Sequence, residues 1–266
     1  MACVGVFDSG IGGLNVLAAC MQRLPGCRFY YYGDNVHAPY GARPKEEIVR
    51  FTRHAMRVFA SMRVDAAVLA CNTATAVCVE EMRSEFSFPV VGMEPALRPA
   101  AASCRDVLVL ATPHTIASER LRSLILRAPA CRFTLAALPD LAGEIERCLT
   151  CGTPLTLSDH LPDVSPDGVV LGCTHYVFFR REIARFYGCP VFDGVQGTAN
   201  RLAAVLSEVL EEQKIGTDDH HCPTWNPNNC LTKKYIKCQK NRVIFLGNSK
   251  NVNKKTFFSN ICFTSN

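Results

Sequence analysis

The sequence has no apolar run that approaches the roughly 18 residues needed to cross a membrane. Its first ten residues, MACVGVFDSG, also lack the basic and extended apolar regions of a secretory signal. Lysine is scarce in the first 216 residues, where only Lys45 and Lys214 occur. The missing signal and missing span predict a cytoplasmic protein without membrane contact, in which most of the 15 cysteines stay reduced.

The net charge of +5 is unevenly distributed along the chain. Residues 1–216 hold 21 Lys and Arg against 22 Asp and Glu, whereas residues 217–266 hold 8 against 2. Because the body is nearly neutral, it offers no basic groove for nucleic acid, which is therefore not an expected partner. Residues 217–266 form a divergent tail rich in Lys and Asn, with RVIFLG as its one convincing strand candidate.

The body alternates apolar, strand-like runs with amphipathic helical stretches. In KEEIVRFTRHAMRVFASM, apolar side chains recur at spacings of three and four on one helical face after Pro44. Runs such as AVLA and VVLG are continuously apolar, which is typical of parallel strands that are buried on both faces. This alternation predicts the α/β class, with mainly parallel sheets covered by helices.

One segment occurs twice, and it ends in a cysteine both times. VDAAVLACNT and PDGVVLGCTH match at an Asp, a Val, a Leu and the cysteines Cys71 and Cys173, all offset by 102 positions. The repeat predicts two similar α/β units, and ligands of such sheets bind beyond the carboxyl ends of strands. A cysteine at a strand end and helix N-terminus is in a setting that favours thiolate. We therefore interpret Cys71 and Cys173 as a facing pair rather than as two small core residues.

Two further features follow predicted strands at this edge. DSGIGG begins with Asp8, a carboxylate that either tunes a neighbouring thiol or holds an ammonium group, and its glycines let the backbone approach a ligand. His175, two residues beyond Cys173, is suited to proton exchange near neutral pH. Four other histidines have no comparable setting, and we interpret them as structural: His37, His54, His114 and His160.

Two cysteine patterns resemble metal sites without matching one. Cys148 and Cys151 have CxxC spacing, but the body lacks a second pair and the motif follows a helix. The tail holds ligand-type residues at no recognisable spacing, namely His220, His221, Cys222, Cys230 and Cys238. We predict no metal.

The motifs together resemble the glutamate branch of the cofactor-independent aspartate/glutamate racemase family. The resemblance runs in collinear order from residue 4 to about 210, through GVFDSGIGGLNVL, YGDNVHAPYG, VLACNTATA, VGMEPA, ATPHTIAS and VLGCTHY. It implies two α/β domains with the active site in the cleft between them. We assign the first domain to 1–94 with about 200–216, and the second to 95–199. The resemblance also implies no cofactor and allows a homodimer.

The resemblance implies roles for individual residues. Cys71 and Cys173 are the two acid/base thiols, supported by Asp8 and His175, with Glu144 in LAGEIE as a further helper. The substrate contacts carried over from the family are Asp8, Ser9, Tyr40, Gly41, Asn72, Thr73, Thr112, Thr115, Thr174 and His175. The implied reaction is the interconversion of L- and D-glutamate, which supplies D-glutamate for peptidoglycan.

Two alternatives stay open at the sequence level. One is a racemase or isomerase for another small acid such as aspartate. The other is a relative with impaired catalysis that binds or regulates, because the residues after about 216 do not follow the family clearly. Nucleic-acid binding through the Lys-rich tail is a weaker form of the second alternative.

Overall fold

The computed structural model describes residues 1–215, 235–238 and 243–246, with side chains described for 1–211 and 243–246. The strands in these ranges are β1 (Cys3–Asp8), β2 (Arg28–Gly33), β3 (Ala66–Leu69), β4 (Val90–Gly92), β5 (Asp106–Ala111), β6 (Arg132–Ala137), β7 (Gly168–Gly172), β8 (Val191–Asp193), β9 (Tyr235–Cys238) and β10 (Val243–Leu246). The α-helices are α1 (Leu14–Arg23), α2 (Lys45–Ser61), α3 (Asn72–Glu85), α4 (Leu97–Ala101), α5 (Pro113–Ile116), α6 (Glu119–Leu126), α7 (Leu141–Cys151), α8 (Arg180–Tyr187) and α9 (Val195–Ile215). Short 3-10 helices lie at Tyr40–Ala42, Leu157–Asp159 and Tyr176–Phe179.

The strands form two sheets with the same core order. The first sheet runs β4-β3-β1-β2-β10-β9 and the second runs β6-β5-β7-β8, so reading the second backwards gives β8-β7-β5-β6. Every pair is parallel except β10 with β9. The predicted α/β class with two similar, mainly parallel sheets is therefore confirmed.

The repeated Asp of the duplicated segment has the same structural task in both units. Asp65 precedes β3, and its Oδ2 accepts a hydrogen bond from the amide of Cys3 at 2.7 Å, at the start of the neighbouring strand β1. Asp167 precedes β7, and its Oδ2 accepts from the amides of Arg105 and Asp106 at 3.3 and 3.1 Å, at the start of β5. Each Asp thus ties the entry of a cysteine-bearing strand to the strand beside it.

Helices cover both faces of each sheet, as the continuously apolar strands require. On one face of the first sheet, α2 buries Ile48, Ala55 and Val58, which lie on the predicted apolar stripe. On its other face α1 and α9 pack together, and α9 contributes Val195 and Ala199 to that core. The domain boundaries themselves stay a prediction, and α9 begins five residues before position 200.

The strand candidate RVIFLG does form a strand. β10 pairs in parallel with β2, with Phe245 opposite Tyr31. Val243, Ile244 and Leu246 are at most 4% exposed, so this short strand belongs to the core of the first sheet. The remainder of the tail, including the ligand-type residues at 220–222 and 230, lies outside the described residues.

None of the helices in the described part of the chain is long and apolar enough to cross a membrane. Ten cysteines in this part are free thiols, in line with the expectation that most are reduced, whereas Cys3 is disulfide-bonded. Cys148 and Cys151 lie in the last turn of α7 as free thiols. No group of three or more potential metal ligands occurs among the described residues.

Candidate active site

The carboxyl end of β1 carries the first candidate, Asp8. Its side chain is fully buried, and its two oxygens accept hydrogen bonds from the Gly10 amide at 3.0 Å and from Thr174 Oγ1 at 3.1 Å. Burial raises the pKa of Asp8, although the nearby His175 and backbone amides oppose the shift. The hydrogen bond to Thr174 joins the first α/β unit to the second, so Asp8 lies where the two units meet.

Cys71 caps α3, immediately after β3. Its sulfur accepts a hydrogen bond from the Ala74 amide at 3.5 Å and lies 3.4 Å from Ser9 Oγ. Burial and the charge of Asp8 raise the pKa of the Cys71 thiol to about 12, and Cys173 adds a weaker contribution, whereas the Ser9 and Ala74 hydrogen bonds lower it. The two candidate cysteines are therefore within electrostatic reach of each other, and Cys71 is a thiol at neutral pH.

Cys173 occupies the equivalent position in the second unit, one residue beyond β7. It is 5% exposed, and its sulfur lies 3.9 Å from Nδ1 of His175. The helix that follows differs from the expected one, because the chain first makes the 3-10 helix Tyr176–Phe179 and only then enters α8. The polar neighbour of Cys173 is thus an imidazole, whereas Cys71 has a hydroxyl and an amide.

The carboxylate that contacts His175 is Glu146, at 2.5 Å between Oε2 and Nε2. The expected helper Glu144 instead pairs with His160 at 2.9 Å, on a more exposed part of α7. This corrects the sequence prediction: Glu144 and Glu146 are two residues apart, so they point in different directions from a helix, and only Glu146 faces the site. It also shows that His160 contacts Glu144.

The electrostatics of His175 follow from these neighbours. Burial by itself lowers the pKa of an imidazole, but the hydrogen bonds to Cys173 and Glu146, together with the charge of Glu146, raise the pKa of His175 well above its usual value. These contacts favour the protonated form of the ring. It lies between a sulfur on its Nδ1 side and a carboxylate on its Nε2 side.

Hydroxyl groups from both units meet nearby. Thr73, at the start of α3, lies 2.9 Å from Thr112 between the Oγ1 atoms, and Thr112 lies 3.1 Å from Thr115. Asn72 is 3% exposed, yet neither polar atom of its amide has a hydrogen-bond partner among the described residues. An unpartnered buried amide is costly, so this side chain is available for a ligand.

Tyr40 and Gly41 lie in the buried 3-10 helix that follows the loop after β2. The hydroxyl of Tyr40 donates to Asp34 Oδ2 at 2.7 Å, and His37 Nδ1 lies 2.8 Å from the other oxygen of the same carboxylate. The Tyr40 side chain is thus held by Asp34. Because the Tyr40 hydroxyl is already bonded to Asp34, a ligand of this 3-10 helix would contact its backbone.

The glycines of DSGIGG permit the close approach of the two units. A Cβ on Gly12 would collide with Thr174 Oγ1 and lie 2.8 Å from Nδ1 of His175. A Cβ on Gly10 would lie 2.5 Å from Glu146 Oε2. The sequence predicted that these glycines let the backbone approach a ligand, and the structure shows that they also admit side chains of the opposite unit.

The site therefore collects nearly all of the predicted residues at one junction: the carboxyl ends of β1, β3, β5 and β7, with Cys71 and Cys173 on pseudo-equivalent strands. Such an arrangement defines a class, the two-unit α/β proteins with a buried interdomain site. Comparison with known proteins narrows this class. Residues 14–202 match the sequence model of the Asp/Glu/Hydantoin racemase family, and the chain belongs to that family.

The individual relatives of this chain narrow the family description to glutamate racemases. The chain is 35% identical over 222 residues to a glutamate racemase of Campylobacter curvus, a match that covers 77% of this chain and 84% of the relative. It is 36% identical over 213 residues to a glutamate racemase of Halothermothrix orenii, covering 76% and 84%. These matches confirm the resemblance drawn from the motifs.

Solved structures agree with the sequence relatives. The fold is similar to that of the Escherichia coli glutamate racemase in complex with L-glutamate and the activator UDP-MurNAc-ala, with a TM-score of 0.71 and 32% identity. That match covers 77% of this chain and 82% of the E. coli chain. The predicted fold class is thus shared with a structurally characterised glutamate racemase.

Proposed function

We propose that this protein is a glutamate racemase, which interconverts L- and D-glutamate without a cofactor by using Cys71 and Cys173 as opposed acid/base groups. One observation carries the proposal. Two buried cysteines stand at the ends of pseudo-equivalent strands: Cys71 contacts Ser9 of the first unit, and Cys173 adjoins Thr174, which is hydrogen-bonded to Asp8 across the junction. The glutamate racemases to which the chain is similar support glutamate as the substrate.

Inversion at a carbon centre needs two proton donors or acceptors. Removing the α-proton leaves a planar intermediate, and one base cannot occupy both of its faces. A thiolate on one face takes the proton while a thiol on the other face returns one, and the roles swap when the reaction runs backwards. The duplicated fold supplies one thiol from each unit, which is the arrangement that this chemistry requires.

The two thiols have different polar surroundings. Burial and the charge of Asp8 raise the pKa of Cys71 to about 12, so Cys71 enters the reaction as the proton donor. Cys173 instead lies 3.9 Å from Nδ1 of His175, a ring that can exchange protons with the sulfur. We infer that Cys71 returns a proton in the direction in which Cys173 abstracts one, and that the two roles are exchanged in the other direction.

Substrate binding falls to the polar groups at the junction. The unpartnered amide of Asn72 and the hydroxyls of Thr73 and Thr112 are suited to hold carboxylates and the charge that develops as the α-proton leaves. The family roles of Ser9, Thr115, Thr174 and the backbone of Tyr40–Gly41 fit the same junction. Asp8, whose Oδ1 already accepts from Thr174, supports the first thiol.

Solvent-deuterium exchange tests the proposal directly. Incubation of the purified protein with L-glutamate in D₂O is expected to give loss of the α-proton signal in ¹H NMR together with loss of optical activity. Cys71→Ser and Cys173→Ser are each expected to abolish nearly all turnover, whereas Cys151→Ser, at an exposed cysteine, serves as the matched control. Intact protein that binds glutamate but exchanges no α-proton would support the impaired-relative alternative instead.

A substrate panel separates glutamate from other acids. The family description includes aspartate and hydantoin, so aspartate and a hydantoin are the competitors to test beside glutamate. Preference for glutamate by at least about tenfold in kcat/KM, which corresponds to roughly 1.4 kcal/mol, is the expected result. Equal or better turnover of aspartate would reassign the substrate while leaving the two-thiol mechanism intact.

The cellular role follows from the reaction. We propose that the protein supplies D-glutamate for peptidoglycan in the cytoplasm, and that it acts as a homodimer. Ten of the cysteines with described side chains are free thiols, although Cys3 is disulfide-bonded, and the predominance of free thiols supports a reducing compartment. Rescue of a D-glutamate auxotroph tests the supply of D-glutamate, and sedimentation velocity tests the dimer.

A further inference from the structure

We propose that Asn35 is a positioning residue for this racemisation: it holds Glu146 against His175, so that the first unit completes the proton-transfer group of the second. The inference rests on the proposed function and assigns a task to a side chain that the two-thiol mechanism leaves unused. Asn35 follows β2 in the first unit, whereas Glu146 and His175 belong to the second unit.

The carboxylate of Glu146 bridges the two units. Its Oε2 lies 2.5 Å from Nε2 of His175 and accepts a hydrogen bond from the Ile11 amide at 3.2 Å. Its Oε1 accepts from Nδ2 of Asn35 at 3.3 Å. Two donors of the first unit therefore fix both oxygens of a carboxylate that belongs to the second unit.

In the described part of the chain, Oε1 of Glu146 has one hydrogen-bond donor, which is Asn35. The Glu146 side chain is 14% exposed, so water replaces a lost protein donor poorly. The buried carboxylate of Asp8 lies near enough to repel it, which is one of the causes that raise the pKa of Asp8. The terminal torsion of a Glu side chain is broad, so both oxygens must be held to fix the plane of the carboxylate.

The effect reaches the sulfur through the imidazole. His175 faces Glu146 with Nε2 and the Cys173 sulfur with Nδ1, which is 3.9 Å away. A carboxylate that rotates or withdraws leaves the ring free to turn away from the sulfur. If the two units separate, Asn35 and the Ile11 amide leave Glu146 together, and proton transfer at Cys173 is thereby coupled to the closed arrangement.

Two variants test the role of Asn35. Asn35→Ala removes the donor, and Asn35→Asp replaces it with a carboxylate facing Glu146. We expect kcat to fall about tenfold for Asn35→Ala, which is the loss of one hydrogen bond to a charged group, and further for Asn35→Asp. The KM for glutamate is expected to stay within about twofold, since the proposed task of Asn35 is to hold Glu146 rather than substrate. Asn200→Asp, the same change at an exposed position on α9, is the matched control.

Isotope effects distinguish positioning from a general structural role. Slower proton transfer at Cys173 alone raises the primary isotope effect of α-deuterated glutamate in the direction where Cys173 abstracts. It lowers that effect in the opposite direction, where Cys71 abstracts first. Glu146→Gln is expected to show the same pattern, with the isotope effect raised in the direction where Cys173 abstracts and lowered in the opposite direction. The Asn35→Ala/Glu146→Gln double variant is expected to be no slower than Glu146→Gln alone.

The outcomes separate the two proposals. Normal kcat and unchanged isotope effects in both Asn35 variants, with an active parent protein, would overturn the role of Asn35 only. The same conclusion would follow if the losses of kcat from Asn35→Ala and Glu146→Gln were additive. It would also follow if Asn35→Ala changed the isotope effects of the two reaction directions equally. A parent protein that racemises no glutamate would instead remove the proposed function, and this inference with it.

Discussion

Thr174 of the second unit donates a hydrogen bond to Asp8 of the first, at 3.1 Å between Oγ1 and Oδ1. Both side chains are buried, and each belongs to a segment that the candidate chemistry uses: Asp8 heads the loop beside Cys71, and Thr174 adjoins Cys173. This contact therefore links the two half-sites directly. It is also the simplest place to test how strongly the site depends on the junction.

Thr174→Val is expected to lower kcat/KM by about tenfold to a hundredfold. The change keeps the shape of the side chain but removes a donor to a buried carboxylate, a loss of roughly 1.5–3 kcal/mol. Steady-state kinetics by circular dichroism measure the effect. Thr153→Val, at an exposed position outside the site, is the control and is expected to behave as the parent protein. Parent-like kinetics in Thr174→Val would show that the contact is dispensable.

The two carboxylates of α7 offer a matched pair of variants. Glu146→Gln is expected to reduce kcat about tenfold to a hundredfold, because it removes the carboxylate that lies 2.5 Å from Nε2 of His175. Glu144→Gln only weakens the pair with His160 and is expected to leave turnover within about twofold. The opposite ranking in kinetic assays would restore Glu144 as the helper.

The stability of the protein is expected to fall as pH rises above 6.5, and His175 is expected to cause part of the fall. The folded state raises the pKa of His175 well above the value of the unfolded chain, so the folded state binds the proton more tightly. The stabilisation is complete below pH 6.5 and is lost as pH rises through the folded pKa, with a slope of at most about 1.4 kcal/mol per pH unit.

Urea unfolding at several pH values measures this slope. His175→Asn is expected to flatten the dependence above pH 6.5, because the variant has no imidazole to titrate. His54→Asn, the same change at an exposed position outside the site, is the control. An unchanged slope in His175→Asn would exclude His175 as the group responsible.

The close approach at Gly12 predicts a large effect of one added methyl group. In Gly12→Ala the new Cβ would meet Thr174 Oγ1 and His175 Nδ1, which both belong to the opposite unit. The two units must move apart, and overpacking of this kind costs about 1–3 kcal/mol. Gly26→Ala, where no atom lies within 4 Å of the new Cβ, is the matched control. Activity and thermal unfolding of the two variants are expected to differ sharply, and equal behaviour would mean that the junction tolerates separation.

Much of this arrangement was predictable because local patterns determine it. The continuously apolar runs before Cys71 and Cys173 predicted buried parallel strands, and the repeated Asp, Val, Leu and Cys predicted equivalent positions in two sheets. The spacing of Ile48, Ala55 and Val58 predicted the buried face of α2. In each case the period of the sequence matches the period of the element.

Other features depend on contacts between distant segments and have no local signal. Glu144 and Glu146 lie on the same helix with the same chemistry, and only the position of His175 in the folded chain distinguishes them. The contact of Asn35 with Glu146 likewise joins residues 111 positions apart. Helical spacing does not separate the two carboxylates, because Glu144 lies three residues after the buried Leu141 and Glu146 lies four residues after the buried Ala142.

The position of β10 has a consequence for the order in which the protein is made. The second sheet comes from one continuous stretch, residues 106–193, whereas the first sheet needs residues 243–246 beside β2. During synthesis from the N-terminus, the Cys173 half can therefore finish its sheet while the Cys71 half still lacks a strand on the ribosome. The first sheet, which carries Cys71, therefore gains β10 only after the residues of both half-sites have been synthesised.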